Sequence, residues 1–118
     1  MRFALVDDKK ELRDHVAMLL GEFAAEQRLH YKLDCFASGE DFLNHFTAHS
    51  YDIIFMDIEM DSPNGYEASI SIMERADKPL IIFVTNSSDY TIRGYGVAFR
   101  YLKKPVTYSV FCNVLDLA

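Results

Sequence analysis

Ile53-Ile54-Phe55-Met56-Asp57 is the stretch on which the fold turns. Four apolar residues end abruptly on a carboxylate. The run is too short for a helix and lacks a polar face, so it reads as a strand covered on both sides. The same grammar recurs along the chain. Phe3 to Val6 is followed by Asp7 and Asp8, Leu80 to Val84 by Thr85, and Phe99 to Leu102 by Lys103, Lys104 and Pro105; Leu33 to Phe36 completes a set of five strands. The first, third and fourth runs are nearly all apolar, whereas Phe99-Arg100-Tyr101-Leu102 is mixed and suits an edge.

Helical periodicity fills the gaps. Leu12, Val16, Leu19, Leu20 and Phe23 recur at steps of three and four and predict an amphipathic helix of about four turns. Ser38 reads as the N-cap of a second helix whose apolar face is Phe42, Leu43 and Phe46. A third helix is predicted from Gly65 or Tyr66, with Ile70 and Met73 inward. A fourth, between Ser88 and Gly96, is predicted to be short and mobile, because Gly94 and Gly96 each cost about 1 kcal/mol in a helix interior. The last follows Pro105, placed at its first position, and buries Phe111, Val114 and Leu115. Strict alternation of strand and helix predicts an α/β domain over residues 1–118: a doubly wound, five-stranded parallel sheet with helices on both faces.

Composition narrows the function. The chain has 118 residues, enough for one domain, and 18 acidic against 12 basic residues give a net charge of -6, so it lacks the positive field that holds nucleic acid. No apolar run approaches the roughly 20 residues that span a bilayer, and Asp7 and Asp8 interrupt the start before a signal core could form, which predicts a cytoplasmic protein without a membrane partner. Cys35 and Cys112 have no metal-like spacing and read as buried reduced thiols. His15, His30, His45 and His49 read as surface or cap residues, and Tyr95, Phe99 and Tyr108 as packing.

In an open α/β sheet, ligands bind beyond the carboxyl ends of the strands. There this sequence places Asp7, Asp8 and Asp57, the Thr85 hydroxyl and the Lys104 amine. Carboxylates about 4 Å apart repel by about 4 kcal/mol at an effective dielectric near 20, so three of them need a cation. Oxygen-only ligands at an open mouth favour Mg2+, and Mg2+ beside a carboxylate nucleophile points to phosphoryl transfer. Asp57, on the central strand, is the nucleophile candidate, and the adjacent Asp7 and Asp8 the metal holders.

This set, Asp7-Asp8, Asp57-Ile58-Glu59-Met60 closing at Gly65, Thr85, and Lys104-Pro105, resembles the receiver domain of two-component response regulators over essentially the whole chain. The resemblance implies a flavodoxin-like sheet with strand order 2-1-3-4-5. It implies Asp57 as acceptor of a phosphoryl group from a sensor histidine kinase or a small phosphodonor, making the chain a phosphoacceptor domain rather than an enzyme. It implies Mg2+ held by Asp8, Asp57 and the Glu59 carbonyl, with Asp7 direct or through water. Lys104 would contact the phosphoryl group, Thr85 would act as switch hydroxyl with Tyr101 following it, and the Lys104–Pro105 peptide would be cis. Ile81-Ile82-Phe83-Val84-Thr85 and Gly96-Val97-Ala98-Phe99-Arg100-Tyr101-Leu102-Lys103-Lys104-Pro105-Val106 further resemble receivers of the LytTR class, which carry a DNA-binding output domain. Any such domain would lie beyond this chain, which is either a fragment or a single-domain regulator, the fragment being preferred.

Two departures from the family pattern stand out. Met60-Asp61-Ser62-Pro63 replaces the usual Met-Pro-Gly and adds a carboxylate, and Asn86 stands where a small residue usually follows the threonine; both are candidate modulators of the site. Two rival readings remain. One is a receiver-like interaction module that switches without phosphate. The other is a haloacid-dehalogenase-type phosphatase, which would need an Asp where this chain has Glu59. In the receiver reading, the Gly94/Gly96 segment is the bistable element, and phosphorylation changes the surface, with homodimerisation as one readout.

Overall fold

The computed structural model describes residues 1–46, 51–58, 79–86 and 99–115. The strands are β1 (Arg2–Val6), β2 (Lys32–Phe36), β3 (Ile53–Asp57), β4 (Leu80–Thr85) and β5 (Phe99–Lys103), and the helices α1 (Lys10–Gln27), α2 (Gly39–His45) and α3 (Tyr108–Leu115). All strand pairs are parallel and the order is β2-β1-β3-β4-β5. Each apolar run of the sequence is a strand to within one residue, and the mixed Phe99 run is an edge, as its pattern predicts.

Successive side chains of a strand leave opposite faces, so the three central strands feed two cores. Phe3, Leu5, Ile53, Phe55, Ile82 and Val84 pack with Val16, Leu19 and Leu20 of α1 and Phe111 and Leu115 of α3. Ala4, Val6, Ile54, Met56, Ile81 and Phe83 pack on the other face with Phe42 of α2 and Phe46 just beyond it. The Phe55 ring stacks between Phe3 and Phe111, at centroid distances of 6.1 and 5.7 Å, which ties β1, β3 and α3 into one aromatic column.

The helices begin and end for identifiable reasons. Ser38 caps α2, its hydroxyl accepting the Asp41 N–H at 3.0 Å. Helix α1 ends at Arg28, which takes the left-handed conformation, φ 52°, that glycine adopts more cheaply. Helix α3 corrects the reading of Pro105 as its first residue. The Lys104–Pro105 peptide is cis, Val106 turns into the core, and the helix starts only at Tyr108, where Thr107 offers its carbonyl to the Phe111 N–H. The cysteines are also corrected: both are free, but Cys35 is exposed on edge strand β2 and Cys112 is half-buried. His15 is more than a surface residue, since its Nε2–H donates to the Val106 carbonyl at 2.7 Å. The helices predicted after Gly65 and between Ser88 and Gly96, and Tyr95, lie outside the described residues.

Candidate functional site

Strand register brings the polar residues to one edge. Val6 pairs with Met56, so Asp7 and Asp57 each lie one step past that pair on neighbouring strands. Thr85 pairs with Lys103, and the next residue, Lys104, donates its N–H to the Thr85 carbonyl at 2.8 Å. Asp7, Asp57, Thr85 and Lys104 are all buried, while Asp8 is exposed at the mouth.

The charges do not balance among the described residues. One carboxylate oxygen from each of Asp7, Asp8 and Asp57 lies within 4.8 Å of the other two. The Lys104 ammonium sits against two of these acids, 3.5 Å from Asp7 Oδ2 and 3.4 Å from Asp57 Oδ1. With one ammonium in contact with two of the three carboxylates, negative charge is left over in this corner, which a divalent cation would offset. Oxygen-only donors, two buried and one open to solvent, fit a hard ion that keeps part of its water shell, as Mg2+ does.

Asp7 does more than contribute charge. Its Oδ1 accepts the Lys9 N–H at 2.9 Å, its own N–H donates to the Phe36 carbonyl at 3.1 Å, and its carbonyl accepts Arg13 Nη1 at 2.8 Å. The Arg13 contact had no signal in the sequence, because a bond to a backbone carbonyl leaves no residue-type pattern to read.

The other candidate residues fall around this edge. Thr85 is fully buried beside the acids' strand ends, and Asn86 after it is exposed. Tyr101 is half-buried on β5, its ring 5.8 Å from that of Phe83 on β4, on the α2 side of the sheet. Glu59 and Asp61 lie outside the described residues. A second concavity of about 540 Å³ lies apart from this edge, along β2, lined by residues that include Arg2, Asp34, His45 and Tyr51. There the Tyr51 hydroxyl donates to Asp34 Oδ2 at 2.8 Å, and burial, together with that bond, pushes its pKa up to about 12. Its charged groups already satisfy one another: Arg2 pairs with Asp34 at 3.5 Å and lies over the Tyr51 ring.

Comparison with known proteins gives a consistent picture. A family model described as response regulator receiver domain matches residues 3–116. The chain is similar to the sensory transduction protein LytT of Bacillus anthracis, with 30% identity over 106 residues, 89% of this chain and 42% of that protein. It is also similar to an uncharacterized response regulatory protein of Vibrio cholerae, with 31% identity over 109 residues, 89% of this chain and 40% of that protein. The chain therefore spans about two fifths of the length of the curated relatives it matches. Among solved structures, a CheY-like response regulator receiver domain from Methylobacillus flagellatus superposes with a TM-score of 0.80 at 18% identity, over 98% of this chain and 95% of that one, a likeness of fold.

Proposed function

The chain belongs to the response regulator receiver family, and from that premise we propose that it is a Mg2+-dependent switch phosphorylated on Asp57 by a sensor histidine kinase. The observation that carries the proposal is the meeting of three carboxylates within 4.8 Å of one another, two of them against the buried Lys104 ammonium. Asp7, Asp8, Asp57 and the Glu59 carbonyl would hold the cation, which supplies charge neutralisation for the incoming phosphoryl group. A carboxylate oxygen of Asp57 attacks phosphorus, the P–N bond of the phosphohistidine breaks, and the departing imidazole nitrogen recovers its neutral, protonatable form; no electrons are gained or lost. With acetyl phosphate the bond that breaks is P–O and acetate leaves. Lys104, already 3.4 Å from Asp57 Oδ1, stands ready to donate to the new phosphoryl oxygens.

The switch follows from the same neighbours. A phosphoryl group brings nearly two negative charges and three acceptor oxygens beside the buried Thr85 hydroxyl. Thr85 turns toward them and Tyr101 follows into the space, which alters the surface around β5 and α3. Moving a population from 1:99 to 99:1 takes about 5.5 kcal/mol, within reach of a few charge-assisted hydrogen bonds of about 1.5–3 kcal/mol each. Asn86 tunes the lifetime of the acyl phosphate, and Asp61 modulates metal binding. Homodimerisation on phosphorylation and a DNA-binding output domain complete the reading; the likeness to LytT supports the LytTR-type relationship from which that output is proposed.

The test is incubation with acetyl phosphate and Mg2+, followed by intact-mass measurement. The expected result is a gain of one phosphoryl group that is absent in EDTA and absent in Asp57→Asn. No gain with any donor would return the chain to the reading of an interaction module that switches without phosphate.

A further inference from the structure

Arg13, the fourth residue of α1, reaches back six positions to donate Nη1–H to the Asp7 carbonyl at 2.8 Å. That oxygen belongs to the planar peptide that joins Asp7 to Asp8. Lys9, at the N-cap of α1, contributes no side-chain cap bond, so the junction between β1 and α1 is fastened instead by the Lys9 N–H on Asp7 Oδ1, the Arg13 N–H on the Lys9 carbonyl, and the Arg13 guanidinium on the Asp7 carbonyl. Asp8 is the exposed member of the acid cluster, and its own carboxylate makes no hydrogen bond or ion pair among the described residues. Its aim is therefore set by the backbone from which it leaves, and the fork that holds that backbone plane is rigid, half-buried and permanently charged.

We propose that Arg13 is a positioning residue for cation binding: by fixing the Asp7–Asp8 peptide plane it presents the Asp8 carboxylate to the metal without touching the metal itself. The inference rests on the Mg2+ reading above and has a sign of its own. A guanidinium this near the acids, acting through charge alone, opposes a divalent cation, so deleting it would tighten binding. Acting through the peptide plane, its deletion weakens binding, by about tenfold if it resembles other groups that orient metal ligands.

The experiment is Mg2+ titration of the full chain by calorimetry, with the melting temperature of each variant recorded in EDTA. Arg13→Met is expected to raise the Mg2+ Kd by about tenfold, and Arg13→Lys, which keeps the charge and the reach to the carbonyl, to stay within about threefold of wild type. If Arg13→Met does not fold, Arg13→Gln takes its place, since its amide stops short of the carbonyl, and the same loss is expected. A Kd unchanged or lowered in the variants that lack the donor overturns the inference, even if their melting temperature falls, as does an Arg13→Lys variant no better than Arg13→Met. Wild-type protein that binds no Mg2+ overturns the functional reading first and this inference with it.

Discussion

Replacing Asp8 by Asn should stabilise the metal-free protein, although it removes a charge from the mouth of the site. Asp8 is isosteric with Asn, exposed, and holds an oxygen within 4.8 Å of oxygens of both Asp7 and Asp57. Two unit charges at that separation repel by about 3.5 kcal/mol at an effective dielectric near 20 and by about 0.9 kcal/mol in water. Because Asp8 faces solvent, the water limit is the better guide, giving about 2 kcal/mol for the two neighbours together. The Lys104 ammonium, which compensates Asp7 and Asp57 directly, offsets about half of that for Asp8. The net gain is about 1 kcal/mol. For 118 residues at about 2.1 cal/mol/K each, the unfolding entropy is about 250 cal/mol/K, so Asp8→Asn should melt about 4 °C above wild type in EDTA. Mg2+ at ten times its Kd adds about 1.4 kcal/mol to wild type, or about 6 °C, and the variant should lose most of that rise. Scanning calorimetry of both proteins with EDTA and with Mg2+ reads all four values. A variant that melts below wild type in EDTA, or that keeps the full Mg2+ response, would refute the reasoning from crowded charge.

Lys104→Met makes the opposite change, leaving buried Asp7 and Asp57 without their common counterion; urea unfolding in EDTA should show a loss of about 3 kcal/mol, and an unchanged midpoint would contradict its role. Ser38→Ala deletes the cap of α2 and should cost about 1 kcal/mol in the same assay without altering Mg2+ affinity. Tyr51 should titrate late: with its pKa pushed up to about 12, its phenolate absorbance rises above the usual tyrosine range but before that of Tyr108, which burial raises further still, and Tyr51→Phe should remove the earlier part of the late component. The sign follows from a folded pKa raised above the unfolded value near 10. The stability contributed by the Tyr51 hydroxyl is whole below about pH 10 and is lost as pH climbs through 12.

The sheet was legible because each strand states its environment in its own residues. Ile53 to Met56 has no polar face, so it can only be central, and Arg100 and Tyr101 mark an edge. The site was legible for the same reason: in a parallel sheet, whatever follows an apolar run stands at one edge, which places Asp7, Asp57, Thr85 and Lys104 together before any coordinates are known. What escaped was information that residue type does not encode. The end of α1 is an arginine in a left-handed conformation where a glycine would have announced it. Pro105 satisfies the statistics of a helix start, yet Val106 has to reach the core first, and that demand delays the helix to Tyr108. Cys35 read as a buried thiol because it lacks metal-like spacing, but spacing carries no information on exposure, and on edge strand β2 the thiol is open to solvent. Arg13 acts on a carbonyl that every residue possesses, so only the fold reveals it.

The most direct test of the account locates the phosphoryl group itself. Protein treated with acetyl phosphate and Mg2+ is reduced with borohydride, which converts an aspartyl phosphate to homoserine, and the digested peptides are sequenced by mass spectrometry. Homoserine is expected at position 57 and nowhere else, and only when Mg2+ is present. Homoserine at Asp7 or Asp8, or the same yield in EDTA, would contradict it.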